Sequence, residues 1–130
     1  MWVLDTNTLI YFFKGQGRVS HALLSHRPSD IGIPAIVLYE LAVGIAKSTS
    51  PRKRREQLKS LTDVTQVLPF GADEAEAAAQ IRVDLEKQGN PIGPYDLLIA
   101  GTALAQNATL VTRNTREFGR ISKLHVEDWF

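Results

Sequence analysis

Three acidic residues, Asp5, Glu40 and Asp96, stand where a carboxylate has chemistry open to it. Asp5 ends the apolar run Trp2-Val3-Leu4, the pattern of a strand buried on both faces, and begins the polar run Asp5-Thr6-Asn7-Thr8. Ligands of open parallel sheets bind just outside the carboxyl ends of the strands, so Asp5 is a site candidate. It is equally a cap for the next helix, a role also open to Thr6 or Asn7. Glu40 interrupts an apolar stripe of Val37, Leu38, Leu41, Ala42 and Ile45. There it either points into water or is held inward by something cationic, and spacing leaves both open. Asp96 falls in a helical first turn, where unpaired backbone N–H groups stabilise a carboxylate whatever else it does. If the three share one cleft, two such charges about 4 Å apart repel by ~4 kcal/mol at an effective dielectric near 20, several times the worth of a cap. A cation or a proton must then join them. Oxygen donors without His or Cys select a hard ion, Mg²⁺ or Mn²⁺, and such an ion makes phosphodiester hydrolysis the natural chemistry.

The elements that must position these acids follow from the apolar pattern. After the first strand, Leu9, Ile10, Phe12 and Phe13 run at helical spacing to Gly15, and a short helix covers Val19 to Ser25. Ile31-Gly32-Ile33 reads as strand two, and Pro34 opens a helix to about Lys47 that carries Glu40. Ser50-Pro51 restarts a helix with Arg52, Lys53, Arg54 and Arg55 in its first turns. Cations at a helix start oppose the dipole, so phosphate contact stands beside simple solvation as their reason. Val64 to Leu68 is the third strand. Asp73 to Gln88 is strongly helical, with Asp73 and Glu76 at capping-box spacing and alanines that imply close packing. Tyr95 to Gln106 is a helix, Thr109 to Thr112 the fourth strand, Arg113 to Phe118 a turn with a short helix, and Leu124 to Val126 an edge strand. Strands alternating with helices predict an α/β fold, a parallel sheet covered on both faces. Right-handed crossovers bring the strand-to-helix turns to one edge. Asp5, Glu40 and Arg113-Asn114 follow strands one, two and four. Asp96 precedes strand four, so topology alone ties it less firmly to that edge.

At 130 residues and 44% hydrophobic content the chain suits one domain, residues 1–130. Fifteen Lys and Arg against fourteen Asp and Glu leave a net charge of +1, so any case for a polyanionic partner rests on local clustering. The absence of cysteine excludes disulfides, thiolate metal sites and cysteine nucleophiles. Asp5 stands where a signal peptide needs apolar residues, and no apolar run reaches the length of a membrane span, so a soluble cytoplasmic protein is expected. His21, His26 and His125 are scattered without ligand spacing and are expected at the surface. Asn107-Ala108-Thr109 matches a glycosylation sequon but carries no weight without a secretion signal.

Four motifs in this order closely resemble the PIN-domain ribonucleases, in particular VapC-type toxins and their FitB-like relatives. They are Val3-Leu4-Asp5-Thr6-Asn7, a Glu in the middle of the third helix, Tyr95-Asp96-Leu97-Leu98-Ile99-Ala100, and Leu110 through Phe118. The resemblance runs the full length of the chain. It implies a five-stranded parallel sheet in the order 3-2-1-4-5 and acids that bind one or two Mg²⁺ or Mn²⁺ ions to cut single-stranded or looped RNA. Asp5 and Asp96 would be metal ligands, and Glu40 the third acid, ligating or positioning the attacking water. Where many members carry a fourth acid this chain has Asn114, which brings no charge; Glu117, one helical turn on, is its possible substitute. Thr6 and Thr112 have hydroxyls suited to holding a water or a carboxylate in place.

The resemblance further implies a VapB-type antitoxin whose tail lies in an apolar groove, a homodimer, and a toxin–antitoxin heteromer above it. Tyr11-Phe12-Phe13 is a candidate lining for that groove, with Phe13 also expected in the core. Two other readings stand: a catalytically silent PIN-like module that binds RNA or a partner, which Asn114 favours, and a metal-dependent phosphohydrolase of another substrate. The basic run Arg52 to Arg55 favours nucleic acid over small phosphates.

Overall fold

Trp2–Leu4 (β1) lies at the centre of the sheet with Val3 and Leu4 fully buried, because a strand flanked by strands and covered by helices has no solvent face. The computed structural model describes residues 1–130. Around β1 the chain forms α1 (Thr6–Lys14), α2 (Val19–Leu24), a 3₁₀ turn (Pro28–Asp30), β2 (Ile31–Pro34), α3 (Ala35–Ala46) and α4 (Pro51–Thr62). It continues through β3 (Gln66–Leu68), α5 (Ala72–Lys87), α6 (Pro94–Ala105), β4 (Thr109–Val111), α7 (Thr115–Phe118) and β5 (His125–Glu127). All pairings are parallel and the order is β3-β2-β1-β4-β5, as the resemblance implies. The chain winds outward from β1 to β3, then returns to the other side of β1 for β4. The switch point, where a parallel sheet opens a crevice, therefore lies between the carboxyl ends of β1 and β4.

Several local expectations change. Val64 is exposed and β3 begins only at Gln66, where β2 first offers a partner, Gly32. Helix α5 starts one residue earlier than its sequence suggests. Its N-cap is Gly71, and Glu74 rather than Glu76 reaches back to the Gly71 N–H, at 3.0 Å. Asp73 is thus a first-turn residue and not the cap. His26 is partly buried rather than a free surface residue. Its ring is stacked on Trp129 at 4.8 Å, meets Trp2 at 4.2 Å, and its Nδ1 donates to the Ala22 carbonyl at 2.7 Å.

The closest helix contact is that of α5 with α6, the helix that carries Asp96. Gly101 lies so near Ala78 that a methyl group added to it would stand 2.8 Å from the Ala78 backbone nitrogen and 2.9 Å from its Cα. The alanines of α5 serve this approach. No helix is long and apolar enough to cross a membrane.

Candidate active site

Asp5 is both a cap and more than a cap. It is the N-cap of α1, in place of Thr6 or Asn7, and its Oδ1 accepts the Thr8 N–H at 2.9 Å. The Asp5 N–H and the Thr8 hydroxyl both donate to the Val111 carbonyl, at 3.1 and 3.2 Å, which ties the end of β1 to the end of β4. Asp5 is only 6% exposed, yet no buried side-chain oxygen in the chain lacks a partner, so its second oxygen opens to solvent in the crevice. Thr8 is the positioning residue that sequence reasoning passed over. The signal was present, since Thr8 stands three residues after an N-cap Asp, where a backbone N–H meets the cap.

Glu40 turns inward. Its Oε1 accepts the Thr6 hydroxyl at 2.7 Å, so the start of α1 fixes a carboxylate delivered by the second turn of α3. Asp96 reaches the same mouth because α6 runs back antiparallel to the strand it feeds, which sets its N-terminus at the carboxyl edge of the sheet. Gly93 occupies the N-cap without a side chain, and no hydrogen bond holds the Asp96 carboxylate. Its pKa is raised to about 6, first by burial, then by the charges of Glu117, Asp5 and Glu40 in that order. Acids from three other parts of the chain thus act on Asp96. Their oxygens are not gathered tightly enough, as they stand, for three to share an ion.

Thr112 is fully buried, and its hydroxyl accepts the Asn114 N–H at 3.0 Å, so it shapes the turn after β4. Asn114 caps α7 through a long 3.5 Å bond from the Glu117 N–H, and its amide donates to Glu117 Oε2 at 2.9 Å. The amide thereby steadies the acid that presses most on Asp96. Asn114→Asp replaces that donor with a second carboxylate. In chelator it should cost about 0.5 kcal/mol or more, as like charges one helical turn apart do, and Mn²⁺ should restore the loss if the position faces the mouth. Urea unfolding with and without Mn²⁺ reads this; identical curves for both chains would assign Asn114 to capping alone.

The basic run is divided. Arg54 shares an apolar groove with Ile10, Phe13, Leu41, Ile45 and Glu40, whereas Arg52 and Lys53 line a separate exposed depression at the start of α4. Arg52 also pairs with Glu56 at 3.6 Å. Phe13 is half-buried and lines the groove. Tyr11 points elsewhere: its ring packs edge-on against Phe130, and the Arg113 guanidinium lies 3.7 Å over the Phe130 ring.

Comparison with known proteins gives a consistent result. The PIN domain family model matches residues 2–124. The tRNA(fMet)-specific endonuclease VapC of Salmonella typhimurium is 35% identical over 128 residues, 98% of this chain and 97% of that protein. Ribonuclease VapC2 of Rickettsia felis is 35% identical over 131 residues, 99% of this chain and 98% of that one. Among solved structures, VapBC2 from Rickettsia felis bound to a DNA fragment from their promoter superposes with a TM-score of 0.90 at 36% identity, covering 99% of this chain and 98% of that one. From its crevice acids, strand order and full-length relatives, the chain belongs to the PIN-domain family, among its VapC members.

Proposed function

We propose that this chain is a Mg²⁺- or Mn²⁺-dependent endoribonuclease that cuts structured or looped RNA, and the toxin of a VapBC-type pair. The observation that carries the reading is the convergence of Asp5, Glu40, Asp96 and Glu117 on the switch-point crevice, where the charges of three of them help to hold the proton on Asp96. The donor set is all oxygen, which suits a hard divalent ion. The repulsion at Asp96 is what such an ion would relieve. Asp5 and Asp96 would hold it, with Glu40 or Glu117 completing the set. When bound, it would polarise a phosphoryl oxygen and ease deprotonation of the attacking water. Glu40, whose Oε1 accepts the Thr6 hydroxyl, would steer that water and receive its proton.

The relatives named above include a ribonuclease, a tRNA endonuclease and a VapBC complex, and these support RNA as substrate and a VapB-type antitoxin as partner. Glu40 lines the groove together with Ile10, Phe13, Leu41 and Ile45, so an apolar tail lying in it could bring a cation of its own to that acid. The homodimer belongs to the same proposal. Arg54 at the groove, with Arg52, Lys53 and Arg55 beyond it, offers phosphate contacts to a strand crossing the mouth. One observation favours a silent binding module, namely the amide at Asn114 beside acids whose oxygens stand apart. Cleavage in the presence and absence of chelator separates the two. The purified chain should cut RNA with Mg²⁺ or Mn²⁺ and stop in excess chelator, its circular dichroism unchanged. Cleavage that persists in chelator sinks the metal mechanism, and binding without cleavage under any metal selects the silent module.

A further inference from the structure

Each of the two acids supplied from mid-chain helices is preceded by a tyrosine, Tyr39 before Glu40 on α3 and Tyr95 before Asp96 on α6. The two rings meet across the interval between the helices, with centroids 5.7 Å apart at a tilt of 54° and hydroxyls 3.5 Å apart. Both remain in water, at 53% and 44% exposure, although each contributes a large apolar surface. Core packing therefore does not account for them. We propose that Tyr39 and Tyr95 form a stacking platform for one unpaired base adjoining the scissile phosphate.

This deepens the nuclease reading and rests on it. A strand that lays its phosphodiester over Asp5, Glu40 and Asp96 must set a neighbouring nucleotide against whatever flanks two of those acids, and what flanks them is aromatic. The rings cannot take a base between them. Intercalation needs parallel planes about twice the ~3.4 Å step of stacked bases apart, whereas these are tilted and closer. The base instead lies on an outer ring face, where the ring and not the hydroxyl makes the contact. Duplex bases are already stacked and cannot be offered in this way, so the platform selects loops and single strands.

The competing occupant is a second copy of the chain, since exposed Val43 continues the apolar face along α3. A base fits better because each tyrosine directly precedes one of the acids, Tyr39 before Glu40 and Tyr95 before Asp96. A protein seated over the rings would bury those charges, against the depletion of charge at interface centres, while a base covers only a ring face.

The test measures binding of a 5′-labelled single-stranded RNA, and of the same strand in a duplex, by fluorescence anisotropy in chelator at low salt. Light scattering is recorded alongside. Tyr39→Leu with Tyr95→Leu should weaken single-strand binding about tenfold or more, within the range for loss of one stacked base, and leave duplex binding and oligomeric state unchanged. Tyr39→Phe with Tyr95→Phe keeps the ring faces and should bind the single strand as the parent chain does, which also guards against a folding defect. A 2-aminopurine in the strand should be quenched by the parent and Phe chains but not by the Leu chain. Unchanged affinity in the Leu chain, an equal loss on duplex, or a change of oligomeric state would overturn the platform while a cleaving parent left the nuclease reading intact. A parent chain that neither binds nor cleaves RNA would overturn both.

Discussion

Asp96→Asn should abolish RNA cleavage and leave the metal-free chain more stable than the parent at pH 7. The sign follows from the raised pKa. Asp96 titrates near 6 in the folded chain against an ordinary 3.8, so the folded state holds its proton more tightly than the unfolded state does. That stabilisation is complete at pH below about 4 and is lost as pH rises through about 6, so at neutral pH the carboxylate works against the fold. Burial and the charges of Glu117, Asp5 and Glu40 cause this, and an uncharged amide escapes all of them. Half-exposure to solvent at the mouth moderates the effect, and a gain of about 1 kcal/mol is expected. Urea unfolding in chelator from pH 4 to 7 checks it: the parent should lose stability across that range more steeply than the variant. On the proposed mechanism the same change removes a ligand and drops cleavage by at least about 100-fold, of the order expected when a group acting in the transition state is lost. A carboxylate acting only on the helix dipole predicts the reverse, a small loss of stability with cleavage intact. A variant that is less stable in chelator and still cuts RNA would refute the site.

Gly101→Ala should destabilise the chain by about 2–3 kcal/mol, although glycine-to-alanine within a helix ordinarily gains about 1 kcal/mol. The difference is steric. The new methyl would meet Ala78 at Cβ, N and Cα, all under 3.0 Å, and backbone cannot swing aside as a side-chain tip does. Helices α5 and α6 must part, and α6 carries Asp96 and Tyr95. The thermal midpoint should fall by roughly 10 °C, with cleavage reduced even where the chain remains folded. Removing the opposing methyl with Ala78→Gly should restore only part of the loss, because the contacts with the Ala78 backbone persist. A Gly101→Ala chain as stable as the parent would mean that the crossing relaxes freely.

Much of this architecture was legible because its signals are local. Trp2-Val3-Leu4 followed by Asp5 marks a buried strand ending in a carboxylate, and the alternation of strands with helices predicts a parallel sheet. Where two local readings share one spacing, the sequence did not choose between them. Asp73 to Glu76 and Gly71 to Glu74 are both three apart, and only the observed start of α5 selects the second. Nor did spacing show His26 between two indoles, since Trp129 lies 103 residues further along and arrives through β5.

By itself, then, the sequence determined the kind of fold, the oxygen-only chemistry open to Asp5, Glu40 and Asp96, and the edge on which the strand-following residues had to lie. The tertiary structure alone decided that Glu40 turns inward to Thr6, that Glu117 presses on Asp96 more than any other acid, and that Tyr39 meets Tyr95. The physical reason is range. Periodicity and capping act within a few residues, whereas the field at a carboxylate and the approach of two rings depend on how separate helices are set across the sheet.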